Sequence, residues 1–74
     1  MKYEEFKKLS YGKLAKMTGH SRATWYAWLN RVDQSPNVNA IEAVASKLAM
    51  EGDVVYRFIV RRKREATQSG SQAA

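Results

Sequence analysis

A small all-α domain of four to five helices is predicted by three features of this 74-residue sequence. Apolar residues recur at helical spacing in Tyr3-Phe6-Leu9, in Trp25-Trp28-Leu29 and in Ile41-Val44-Ala45-Leu48. Residues that start and stop helices punctuate those runs: Ser10, Ser21 and Asn37 or Asn39 as N-caps, Gly19 and Gly52 as stops. Finally, 45% of the residues are hydrophobic, two of them Trp, which argues for a packed core rather than disorder. A chain of this size buries only roughly 60% of its unfolded surface and has room for a single core. With no Cys and one His, disulfides, thiolate metal sites and imidazole clusters are all excluded as reinforcement. Good packing or self-association is left to do that work.

The elements follow in chain order. Lys2 to Leu9 predicts a short amphipathic helix, with Glu4 and Glu5 early and Lys7 and Lys8 late, as the helix dipole prefers. Ser10 caps a second helix from Tyr11 to Met17 or Thr18, its inner face made of Leu14, Ala15 and Thr18, with Lys13 and Lys16 outward. Gly12 in its first turn weakens it slightly. After Gly19 and His20, Ser21 caps a third helix from Arg22 to about Arg31. Trp25, Trp28 and Leu29 form its inner stripe, and Arg22, Ala23, Tyr26, Ala27 and Asn30 its outer face. Val32 to Pro36 is a loop. A fourth helix starts at Asn37 or at Asn39, the latter with Glu42 as a capping-box variant, and Gly52 ends it. Residues 54–60 are rich in strand formers, so a strand remains the alternative there. A helix is preferred, capped by Asp53 with a stripe of Val55, Phe58, Ile59 and Arg62, because 61–66 continues in good helix formers. The domain therefore covers 1–66, with 67–74 a flexible polar tail.

Thirteen Lys and Arg against seven Asp and Glu give a net charge of +6, and the sequence pI is about 9.9. Such a balance suits a polyanion, either nucleic acid or an anionic membrane surface. No apolar run approaches the ~20 residues of a membrane span, and the start has no signal-peptide pattern. A soluble protein of the bacterial cytoplasm, associated with the nucleoid, is the expectation. Catalysis is not expected: there is no Gly-rich phosphate loop with Lys, no nucleophile–base pair and no carboxylate cluster. Neither cofactor, metal nor small-molecule ligand is implied.

One segment carries chemistry. Two short helices are separated only by Gly19, His20 and Ser21, with small Ala15 where they cross and large Trp25 to fill the angle between them. The stretch Tyr11-Gly12-Lys13-Leu14-Ala15-Lys16-Met17-Thr18-Gly19-His20-Ser21-Arg22-Ala23-Thr24-Trp25-Tyr26-Ala27-Trp28-Leu29 resembles the helix-turn-helix of the Cro and phage-repressor family. The likeness extends over Phe6 to Met50 through the Pro-containing loop and the Ile41, Val44-Ala45, Leu48 spacing. Two positions depart from the family pattern: Tyr11 stands where Gln is usual, and His20 where an aliphatic residue is favoured. The resemblance implies that the third helix enters the major groove of double-stranded DNA.

The residue chemistry points the same way. Arg22 can pair bidentately with a guanine edge, and the methyls of Ala23 and Ala27 can touch thymine. Tyr26 suits a phosphate or a sugar, Ser21 and Asn30 lie at the two ends of the helix, and Tyr11 sits where the family touches the DNA backbone. Lys13, Lys16 and Arg31 flank the helix and suit phosphates. Bland roles stand beside these: a solvated arginine, a tyrosine sealing a dimer, an asparagine capping a helix end, a half-buried turn histidine. The run Arg61 to Arg64 is either a solvated helix end or a second phosphate patch. The expected function is a phage-type transcriptional repressor, binding as a homodimer or higher oligomer through Val54 to Val60. An excisionase-type factor that bends DNA is one alternative, and a protein–protein interaction module another.

Overall fold

Three of the helices begin where the sequence supplies an acceptor for their orphan N–H groups. Ser10 Oγ accepts from the Lys13 N–H at 3.1 Å, Ser21 Oγ from Thr24 at 3.1 Å and Asn37 Oδ1 from Ala40 at 2.8 Å. The computed structural model describes the backbone of residues 1–73 and the side chains of residues 1–68. It contains five helices, α1 (Tyr3–Phe6), α2 (Tyr11–Thr18), α3 (Arg22–Asn30), α4 (Val38–Leu48) and α5 (Gly52–Ala73), and no strand among the described residues. The chain is a small all-α domain, as its periodicity predicts. The 22 residues of α5 set the long dimension of a body measuring 37 × 23 × 21 Å.

Phe6, Leu14, Trp25, Val44 and Val55 are all 0% exposed, so every helix sends at least one side chain into one core. An aromatic chain runs through it. Tyr3 and Phe6 pack on Phe58 with ring centroids 5.5 and 5.6 Å apart, Phe6 meets Trp25 at 6.4 Å, and Trp25 meets Trp28 at 5.1 Å. Most of these pairs are edge-to-face, the arrangement the ring quadrupoles favour. His20 ends the chain, its ring 5.0 Å from that of Trp28, which makes it a half-buried turn residue. The buried indole N–H is satisfied: Trp25 Nε1 donates to Thr18 Oγ1 at 2.9 Å, and that hydroxyl donates to the Leu14 carbonyl at 2.7 Å.

Residues 54–60 take the preferred helix and not the alternative strand, since Val55 and Ile59 fall one turn apart on the face that packs against the core. Other sequence expectations are corrected. Of the segment Val54 to Val60, expected as the dimer contact, the core takes Val55 and Ile59, while Tyr56 and Arg57 stay exposed. Val55 and Ile59 are 0% and 1% exposed and Phe58 packs beside them, so these side chains belong to the single chain's own interior. The first helix stops at Phe6 instead of Leu9, because the Arg62 guanidinium takes the Phe6 and Leu9 carbonyls at 2.9 and 2.8 Å. The fourth helix ends not at Gly52 but at Ala49, which adopts the left-handed conformation at φ 54°. There the Met50 N–H returns to the Ala45 carbonyl at 2.9 Å and the Met50 side chain packs onto the core. Gly52 instead opens α5, and Asp53 lies in its first turn. Helical backbone continues past Ala66 to Ala73; in the segment expected as a polar tail, the side chains of 69–74 lie outside the described residues.

The N-terminal residues are tied to α5 by a titrating contact. The Tyr3 hydroxyl donates to the Glu65 carboxylate, while the Arg61 guanidinium lies 4.1 Å over the Tyr3 ring and 3.8 Å from Glu65. Burial, reinforced by the hydrogen bond to Glu65 and its charge, pushes the Tyr3 phenol from 10.0 up to about 12. The folded state thus holds this proton at pH values where the unfolded chain has lost it, so the contact's contribution is complete below pH 10 and is lost as pH rises to about 12. The difference in melting temperature between wild type and Tyr3→Phe should accordingly shrink over that interval. A difference that stayed constant would show that Tyr3 does not couple to folding in this way.

Candidate functional site

Gly19 turns the chain between α2 and α3 at φ 82°, a left-handed conformation that favours glycine, with its N–H on the Ala15 carbonyl at 2.9 Å. Ala15 is half-buried against the core cluster, and the Trp25 indole in that cluster reaches α2 at Thr18. Together these place the first turn of α3 beside the first turn of α2. Ser10, Tyr11 and Gly12 from one side, and Arg22, Ala23 and Tyr26 from the other, line an open groove of about 520 Å³.

The groove is a donor-rich, positive surface. Neither α2 nor α3 carries an acidic residue in its first turn, so no carboxylate offsets the partial positive charge at either N-terminus. The Arg22 guanidinium folds across Gly12: a Cβ added there would meet Nη2 at 2.8 Å and Cζ at 3.0 Å. Glycine at this position lets the cation rest on the α2 backbone. The Tyr11 and Tyr26 rings meet edge to face at 5.6 Å. Asn30 Nδ2 donates to the Tyr11 hydroxyl oxygen at 2.8 Å and to the Tyr26 carbonyl at 3.0 Å, so the Tyr11 O–H proton is left to donate elsewhere. Ala23, exposed beside Arg22, keeps the floor low. Chemically, this arrangement suits an anion set against a partly apolar surface.

Of the residues singled out from the sequence, Tyr11, Arg22, Ala23 and Tyr26 converge on the groove. Lys13, Lys16 and Arg31 are exposed around it without lining it, and Ala27 is half-buried. Ser21 is engaged as the α3 cap and lies 2.9 Å from the Thr24 hydroxyl. The amide nitrogen of Asn30 acts as an internal brace instead of pointing outward. Gly12 and Ser10 are groove residues that sequence reading missed. For Gly12 a signal existed, since a glycine retained where alanine would stabilise a helix by about 1 kcal/mol hints at a close approach.

The basic run on α5 divides by role. Arg62 holds the α1–α2 connection, and Lys63 donates to the Gln34 carbonyl and, at 3.3 Å, to the Ser35 hydroxyl in the α3–α4 loop. Burial lowers the pKa of both, as their cations sit partly out of water. Arg61 faces Tyr3, and Arg64 is exposed. Among the described residues, no helix is long and apolar enough to cross a membrane, and no His, Cys, Asp and Glu cluster could hold a metal ion. No family model, curated protein or solved structure matches the chain.

Proposed function

We propose that the chain is a sequence-specific double-stranded DNA-binding regulator of the phage-repressor kind, with α2, its turn and α3 forming a helix-turn-helix. The observation that carries this reading is the groove between the two helix N-termini, which gathers Arg22, two phenols and uncompensated N–H groups with no carboxylate among its lining residues. With α3 in the major groove, Arg22 extends from Gly12 to a guanine O6/N7 edge, and Ala23 lets the helix approach thymine methyls. The Tyr11 and Tyr26 hydroxyls donate to backbone phosphates. Lys13, Lys16 and Arg31 add charge contacts that set position and not sequence.

Selection of bound sequences from random duplexes, followed by fluorescence anisotropy across a salt series, tests this. Three cationic phosphate contacts, Lys13, Lys16 and Arg31, predict a slope of log K against log salt of about −2.7. Absence of binding, or binding indifferent to salt as expected for a protein-interaction surface, would remove the reading. Arg22→Ala should lose ~1–3 kcal/mol on the selected site and accept any base at one position. An equal loss on every duplex would reassign Arg22 to a phosphate.

A further inference from the structure

A second concavity lies where the α3–α4 loop, α4 and the start of α5 meet, and it shares no lining residue with the groove. Its lining is largely apolar: Pro36 and Ile41 are buried, and Val38 is exposed beside them. Gly52 belongs to it too, and a Cβ added there would stand 3.4 Å from Ile41 Cγ2, so glycine leaves that space open. Tyr56 supplies its aromatic ring, 50% exposed and outside the aromatic chain of the core. Among the described residues, the charged groups of the lining are Glu42 and Asp53, both acidic, in a chain with thirteen basic residues and a net charge of +6. The volume of about 450 Å³ lies in the range of small-molecule sites, and so does this mixture of apolar surface with a few polar groups.

We infer that this cavity binds a small organic cation, an ammonium carried on a compact apolar or aromatic body. The body packs on Pro36, Val38 and Ile41, and the charge is shared between the Tyr56 ring face and the two carboxylates. Charge complementarity selects this occupant. An anion would be repelled by both Glu42 and Asp53, and a neutral apolar molecule would gain nothing from either. A hard divalent metal ion demands about six or more oxygen ligands, and among the described residues no His, Cys, Asp and Glu cluster could hold one. The chain's own competitor for the site is Arg57, 3.6 Å from the Asp53 carboxylate. Arg57 is not part of the lining, and both partners of that pair are largely exposed, so it is weak and yields readily to a ligand that also buries apolar surface.

The test is an NMR titration of the full chain without DNA, so its outcome is independent of the proposed DNA binding. Benzyltrimethylammonium is the probe, with benzyl alcohol and benzoate as its neutral and anionic counterparts. The cation should shift the Val38, Ile41 and Tyr56 signals with a Kd of about 1 mM, the affinity a ligand of this size reaches. Benzyl alcohol should bind roughly tenfold more weakly at the same residues, and benzoate should leave them unmoved. This comparison needs no variant. Glu42→Gln with Asp53→Asn should then weaken the cation about tenfold without changing benzyl alcohol, and Tyr56→Leu should weaken it roughly threefold by removing the ring face. All three side chains are exposed, so the melts should stay near that of the wild type. Cavity signals unmoved by about 10 mM probe would overturn the inference. So would benzoate or benzyl alcohol binding as tightly as the cation, or carboxamide variants that bind it like the parent. Cavity signals that move when the protein alone is concentrated would give the surface to a second copy and overturn it as well.

Discussion

Trp25→Ala is expected to lose about 3–5 kcal/mol of folding stability, the range for deleting a large buried aromatic. A core this small rarely supplies more than that in total, so most molecules would be unfolded at room temperature. The indole is 0% exposed, wedged between Phe6 and Trp28, and its N–H ties α3 to Thr18 of α2. Two contributions can be separated. Trp25→Phe keeps much of the ring burial but removes the N–H that donates to Thr18 Oγ1, and should cost about 1–2 kcal/mol beyond the packing change. The Thr18 hydroxyl keeps its own bond to the Leu14 carbonyl, so the smaller variant leaves no orphaned donor behind. Urea denaturation followed by circular dichroism measures both. An alanine variant that melts cooperatively near the wild type would mean that the α2–α3 angle is held by something else. The groove at Gly12 and Arg22 depends on that angle, so this variant should lose more ligand binding than its unfolded fraction alone accounts for.

The helix starts and the inner faces were legible because they are local. A serine hydroxyl caps the turn that follows it whatever the rest of the chain does, and Ser10 and Ser21 do so. Gly19 adopts its positive φ at the position where the pattern breaks. Stripes such as Val55-Phe58-Ile59 follow from periodicity once the segment is taken as a helix. What escaped was decided between elements distant in sequence. Ala49 takes a left-handed turn that glycine would adopt more cheaply, because doing so tucks Met50 against the core. The end of α1 is set by a guanidinium 56 residues further on. In the groove, Gly12 reads as a weak helix former until α3 is placed beside it, and Asn30 reads as an end cap until Tyr11 comes within reach. Of the four consecutive bases Arg61 to Arg64, periodicity sets Arg62 on the inner stripe, but nothing in the sequence says which backbone carbonyls it and Lys63 hold.

Those carbonyl contacts yield the second large effect. Arg62→Met should cost about 2–4 kcal/mol of stability, through loss of two hydrogen bonds from a charged donor, each worth ~1.5–3 kcal/mol and not additive. The half-buried guanidinium spans the Phe6 and Leu9 carbonyls and lies 5.6 and 5.8 Å from the ring centroids of Phe6 and Tyr11. Methionine preserves the apolar stem, so the loss reports the head group and not a cavity. Arg62→Lys separates a clamp from a phosphate contact. An ammonium keeps the charge but lacks the planar fork that reaches two carbonyls at once, so lysine should recover only part of the lost stability. A phosphate-binding role makes the opposite demand: lysine would restore DNA affinity, and Arg62→Met would flatten the salt slope by about 0.9. With Arg62 acting as the clamp, the slope stays that of the wild type in both variants below their melting temperatures, and only the melting temperatures move. A flattened slope with an unchanged melt would place Arg62 on the DNA.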